Sequence, residues 1–97
     1  MSKEVKVEVE YCGSWGYGPH FQRLQTMILD EVPEVKVTGF VGRRTSFEVT
    51  VNSICIHSKL ESGKFPDFKE IVQIVEDVLN GQDPRQVQKA HSQCVIA

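Results

Sequence analysis

Near the start of the chain, Val5, Val7, Val9 and Tyr11 alternate with Glu4, Lys6, Glu8 and Glu10. A period of two predicts a strand with one dry face and one wet face. A glycine-rich turn, Cys12-Gly13-Ser14-Trp15-Gly16-Tyr17-Gly18-Pro19, interrupts the alternation. Pro19 suits the first position of a helix, where its missing N–H costs nothing. Phe21, Leu24, Met27 and Ile28 then fall on one helical face. Pro33 restricts Val32 and ends that helix.

Val35, Val37 and Val41 predict a second strand, closed by the loop Gly42-Arg43-Arg44-Thr45. Phe47, Val49 and Val51 predict a third. Asn52-Ser53 reads as a two-residue hairpin turn into a fourth strand. There Ile54 and Ile56 point one way and Cys55 and His57 the other. Leu60 to Pro66, with Gly63, reads as a loop. Asp67 is placed to cap a second helix, and Glu70 completes a capping-box-like pair. Phe68, Ile71, Val72, Val75, Val78 and Leu79 form the most pronounced apolar stripe in the chain, and Gly81 stops it. Asp83-Pro84 starts a short turn, and Arg85 to Ala97 reads as a polar tail.

The predicted order is β-α-β-β-β-α. A right-handed crossover makes the first two strands parallel, and the tight turn makes the third and fourth antiparallel. Each strand shows only one apolar face, so both helices must cover the same side of the sheet. The expected fold is an α/β two-layer sandwich with a four-stranded mixed sheet, one domain over residues 1–82 and a tail over 83–97.

Composition narrows the function classes. The 97 residues suit one domain. A net charge of −2 gives no basic footprint for nucleic acid. No apolar run is long enough to span a bilayer, and Met1-Ser2-Lys3-Glu4 is too polar for a signal peptide. Three cysteines, an odd number, point to a reducing compartment and hence to the cytoplasm.

The candidate chemistry centres on Cys12, at a strand-to-helix turn. Amides at a helix start stabilise an anion, which favours a thiolate. From its position alone, Cys12 reads equally as a reactive thiol or as an inert cysteine closing the strand. His20 would lower the Cys12 pKa if charged and close, and otherwise is a solvated first-turn residue. Arg43-Arg44 would attract an anionic partner such as glutathione if their loop folds toward Cys12. The glycines of the turn do not make a phosphate loop, because the required Lys-Ser/Thr is absent. Cys55 and His57 on one strand face are too few for a metal site, so no metal or bound cofactor is expected.

The stretch Val9-Glu10-Tyr11-Cys12-Gly13-Ser14-Trp15-Gly16-Tyr17 resembles the redox motif of the selenoprotein W-related (Rdx) family. That motif is a tyrosine-cysteine pair, two residues, selenocysteine or cysteine, then glycine and an aromatic residue. Phe47-Glu48-Val49 and the run His57-Ser58-Lys59-Leu60-Glu61-Ser62-Gly63-Lys64-Phe65-Pro66 are also similar to that family. With Leu79-Asn80-Gly81 and the tail, that run is most similar to a prenylated branch of it. The resemblance implies a thioredoxin-like fold, Cys12 as the redox thiol, and Trp15 at the position of the second redox residue. Trp15 carries no thiol, so Cys12 lacks the local partner that closes a Cys-x-x-Cys disulfide. Trp15 reads either as native or as a replacement for selenocysteine, whose codon differs from that of tryptophan by one base.

The last four residues, Cys94-Val95-Ile96-Ala97, match a prenylation box in which alanine favours farnesyl. One lipid chain holds a membrane only marginally, and Arg85, Lys89 and His91 are a weak second signal. The leading expectation is a redox-sensitive adaptor at the cytoplasmic membrane face. Glutathione and 14-3-3-type proteins are the partners the resemblance implies, and nucleic acid is not expected. A monothiol oxidoreductase using glutathione and a non-redox interaction module stay open beside it.

Overall fold

The computed structural model describes residues 4–14 and 16–92. Strand β1 (Lys6–Tyr11) leads through helix α1 (Tyr17–Glu31) to β2 (Lys36–Val41). β3 (Phe47–Val51) and β4 (Ile54–Ser58) follow as a hairpin. A single-turn helix α2 (Lys59–Ser62), strand β5 (Lys64–Pro66), helix α3 (Phe68–Leu79) and strand β6 (Ala90–Ser92) complete the elements among the described residues.

The main sheet has the order β2-β1-β3-β4. β1 is parallel to β2 and antiparallel to β3, and β3 is antiparallel to β4. The expected α/β sandwich is therefore the observed one. Asn52 and Ser53 both take positive φ, 49° and 72°, as a hairpin turn that follows the sheet's twist requires.

Val5, Val7, Val9, Phe47, Val49 and Val51 form the dry face. α1 covers it with Phe21, Leu24 and Ile28, and α3 with Ile71, Ile74, Val75 and Val78. The two helices also lie against each other. Phe21 fits over β2 because position 39 is glycine: a Cβ there would stand 2.5 Å from the Phe21 ring. Tyr11 stacks on the same ring, with centroids 5.2 Å apart.

Several sequence expectations change. α1 begins at Tyr17 rather than Pro19, because Gly16 adopts a left-handed conformation (φ 81°) and turns the chain into the helix two residues early. Pro19 then sits third in the helix, still among the positions whose N–H has no intrahelical partner. Val41 shares the parity of Val37 yet is 62% exposed, because it lies against the Gly13 turn and not under a helix.

A bulge separates Cys55 from His57. Val49 faces His57 and Thr50 faces Cys55, which leaves Ile56 as the extra residue. Opposed residues share a face, so Cys55 lies with Thr50 on the open side and His57 with Val49 on the packed side. The expected common face of Cys55 and His57 does not exist. His57 is buried, with Nε2 2.7 Å from the Lys64 carbonyl oxygen.

The expected loop from Leu60 to Pro66 contains α2 and β5. The described tail is docked on the domain. β6 pairs antiparallel with β5, and the Val87 N–H donates to the Ile56 carbonyl at 2.8 Å. Asp67 caps α3 by accepting from the Lys69 and Glu70 N–H groups. Glu70 does not act as a simple capping-box partner. Its carboxylate accepts from the N–H of Gln88 and Lys89 and from Arg85, and so ties the tail to the helix.

Candidate functional site

The site grows out of the end of β1. One residue past the strand, the Cys12 N–H donates to the Ser46 carbonyl at 2.9 Å, which extends the β1–β3 ladder. This bond brings the 42–46 loop against the cysteine turn. Cys12 Sγ lies 3.3 Å from Ser14 Oγ. The Cys12 residue is 5% exposed.

The Cys12 pKa is lowered from the ordinary thiol value. The Ser14 hydroxyl is the largest cause, followed by the backbone N–H groups of Thr45 and Ser14. Burial opposes them weakly, and the Arg44 charge adds to the lowering. Hydrogen bonds to the charged form favour it. The amides at the helix start, expected from the sequence to stabilise the thiolate, are not the groups found at the sulfur. The helix begins at Tyr17, so loop groups take that part.

The loop is held from its other side by Glu10. Arg43 Nε donates to Glu10 Oε2 at 2.9 Å, Arg43 Nη2 to Oε1 at 3.0 Å, and the Arg43 N–H to Oε2 at 2.7 Å. Gly42 leaves the room, since a Cβ there would lie 2.3 Å from Glu10 Cγ. Arg43 and Arg44 thus divide their work. Arg43 is spent on Glu10, and Arg44 contributes charge at the sulfur.

Hydrogen bonds from Arg43 hold the Glu10 pKa at about 2, against an ordinary 4.5. A depressed carboxyl pKa stabilises the fold above pH 4.5, and the contribution disappears as pH falls toward 2. The Arg43 side chain is 67% exposed, so solvent screening limits the pair to about 1 kcal/mol. Glu10→Gln should therefore flatten the fall in urea midpoint between pH 4.5 and 2. An unchanged slope would show that Glu10 is not the group responsible.

The other candidates separate from Cys12. His20 packs on Phe65 with ring centroids 4.7 Å apart. Burial and then the Arg23 charge lower its pKa, which works against its supplying positive charge to Cys12. Cys55 is exposed on the open face, and its pKa is raised, chiefly by desolvation of the sulfur. Cys55 Sγ donates to the His57 carbonyl at 3.4 Å. Trp15 and Cys94 lie outside the described residues. No group of three His, Cys, Asp or Glu among the described residues is arranged for a metal ion. No described helix is long and apolar enough to cross a membrane.

Thr45 is the site residue that sequence reasoning missed. It lies 33 positions from Cys12, and only the register Tyr11 with Phe47 brings it near. Ser14 carried a readable signal, being a hydroxyl two residues after the thiol.

A family model described as "Rdx family" matches residues 6–77. Migration and invasion enhancer 1 of Bos taurus is 27% identical over 92 residues, covering 95% of this chain and 80% of the relative. Selenoprotein W of Danio rerio is 44% identical over 66 residues, covering 65% of this chain and 77% of the relative. A selenoprotein W-related protein from Vibrio cholerae has a crystal structure that superposes with a TM-score of 0.72 at 23% identity. The superposition covers 79% of this chain and 99% of that one.

Proposed function

Because this chain belongs to the Rdx family, we propose that it is a selenoprotein W-like, redox-responsive adaptor whose reactive thiol is Cys12. Membership of the family suggests a redox-related role. The observation that carries the finer reading is the Cys12 sulfur, 3.3 Å from the Ser14 hydroxyl at the strand-to-helix turn, with a pKa lowered from that of an ordinary thiol. More of it is thiolate at neutral pH, and the thiolate is the nucleophile.

The chemistry we assign is monothiol. The Cys12 thiolate attacks a peroxide, keeping one oxygen as sulfenic acid while the other leaves as hydroxide and is protonated to water. The thiol of glutathione then displaces the sulfenic hydroxyl, giving a mixed disulfide and water. With tryptophan at position 15, a second external thiol must release the adduct.

The tail belongs to the same proposal. Cys94, with Val95-Ile96-Ala97 behind it, would carry a prenyl group and bring a cytoplasmic domain reversibly to a membrane surface. Protein partners of the 14-3-3 type are carried over on the same footing.

Peroxide followed by glutathione, then peptide mapping, tests the reading. We expect the glutathione adduct on Cys12 near pH 7, its complete loss in Cys12→Ser, and little adduct on Cys55. The same map of protein from eukaryotic cells should show a lipid on Cys94 and loss of the three residues after it. Adduct confined to Cys55 would overturn the assignment of the thiol, and an intact, unmodified C-terminus would remove the lipid. The Arg44 charge beside Cys12 favours an anionic thiol, which keeps the oxidoreductase reading in view. Sustained glutathione-coupled turnover would select it over the adaptor.

A further inference from the structure

The main sheet has two edges, β2 and β4, and the chain treats them differently. The returning tail is bonded along β4: the Val87 N–H donates to the Ile56 carbonyl at 2.8 Å, and Gln86 Nε2 to the Cys55 carbonyl at 2.7 Å. No described strand pairs with the outer side of β2, where Gln25 Nε2 donates to the Val37 carbonyl at 3.2 Å. Native proteins blunt an open edge with proline, charge or a bulge. The stretch Val37-Thr38-Gly39-Phe40-Val41-Gly42 has none of these. Instead Phe40 and Val41 stand 54% and 62% exposed on it.

The register shows which groups this edge offers. The Lys36 N–H donates to the Val5 carbonyl and the Gly42 N–H to the Tyr11 carbonyl, so the even-numbered residues of β2 bond inward to β1. Val37, Gly39 and Val41 therefore direct their N–H and C=O groups outward. Gln25 takes the Val37 carbonyl. Gly39 and Val41 remain as the outward-facing pair, with Phe40 between them beside Glu10 on the open face.

That arrangement is self-complementary. When a second β2 lies antiparallel with Phe40 opposite Phe40, Gly39 of each copy faces Val41 of the other as a hydrogen-bonded pair. The two Phe40 side chains then meet in the closer, non-hydrogen-bonded position. Each Val41 lands opposite Gly39, on the side where the Phe21 ring fills the space above that glycine. Centring the pair on Gly39 would need the Val37 carbonyl that Gln25 holds. Residues 37–42 carry no charge, so the two-fold axis sets no like charges against each other within the pair.

We propose that β2 is a homodimerisation edge, where two copies of this chain pair across a two-fold axis at Phe40 and join their sheets into one. The inference is independent of the reading of Cys12. A pairing this short buries well under the about 1,600 Å² of a standard interface, so the dimer is weak and forms by mass action. Val41 also lies against the Gly13 turn, which places the dimer edge beside the cysteine turn.

Sedimentation velocity of the full-length protein under reducing conditions, across about two decades of concentration, tests the proposal. We expect a reversible monomer–dimer equilibrium. Phe40→Lys, which sets two charges opposite each other, should weaken it at least about tenfold. The register is read by oxidative cross-linking in a chain carrying Cys12→Ser, Cys55→Ser and Cys94→Ser. Phe40→Cys should give a covalent dimer, because the Cα atoms of a non-hydrogen-bonded pair lie about 4.5 Å apart, within disulfide reach. Thr38→Cys should not, because its two copies would stand about 13 Å apart along the strands. A protein that is monomeric throughout, or association that a folded Phe40→Lys protein retains in full, overturns the proposal. So does cross-linking through Thr38→Cys and not through Phe40→Cys.

Discussion

Replacing Phe47 by alanine is expected to remove about 3–5 kcal/mol of stability, the range for emptying a fully buried aromatic site. Phe47 has no exposed surface and lies opposite Tyr11 on the inner strand pair. Its ring meets Phe65 at 5.4 Å and Phe68 at 5.9 Å, so it joins the sheet to β5 and to the first turn of α3. Neighbours fixed on three separate elements cannot collapse into the space without breaking other contacts. The cavity therefore stays, and its lining loses dispersion contacts. For a small domain with modest total stability, such a loss leaves a large unfolded fraction at 37 °C. Urea denaturation reads it as a lower midpoint at an unchanged slope. A shift below about 1 kcal/mol would mean that the aromatic cluster is not packed as described.

Glu70→Ala is expected to release the tail while the main sheet stays folded. Arg85 Nη1 reaches Glu70 Oε2 at 2.6 Å, and the N–H groups of Gln88 and Lys89 reach Oε1 at 3.0 and 2.7 Å. Hydrogen bonds to an ionised group are about twice as strong as neutral ones. After truncation the freed tail groups turn to water, which limits the loss to about 1–3 kcal/mol. Hydrogen exchange localises the effect. The amides of Val87, Lys89 and Ala90 to Ser92 should exchange at least tenfold faster, and those of β1 and β3 should not change. Equal acceleration everywhere would show that Glu70 supports the whole fold, and no acceleration would show that β5–β6 pairing holds the tail unaided.

Acid should act in the same direction. Burial pushes the Glu70 pKa up, but Arg85 and the two N–H groups outweigh it, and the net shift is downward. The attachment is complete above the ordinary carboxyl range and is lost as pH falls through the depressed value.

These residues also mark how far a one-dimensional reading reaches. The valine alternation in β1 and β3 and the apolar stripe of α3 depend on local periods of 2.0 and 3.6. The four strands of the main sheet, both long helices, their order and the single-sided packing were therefore legible, as was the placement of Cys12 at the strand-to-helix turn. The glycine-rich turn announced a change of direction, but not that Gly16 would start α1 two residues before Pro19.

What stayed hidden depends on register and on contacts between distant segments. Ile56 looks like an ordinary member of an alternating strand, yet pairing with β3 makes it the extra residue of a bulge and turns His57 inward. Glu70 has the spacing of a capping box, and the returning tail gives it other partners. Thr45 and Lys59 carry no local sign that they touch. They meet because β3 and α2 deliver them to one place, where the Lys59 ammonium reaches the Thr45 carbonyl. Local pattern thus determined the elements and the position of the thiol. Only the tertiary structure decided which groups touch the sulfur, because hydrogen bonds are set by distances of a few ångströms that no spacing along a chain encodes.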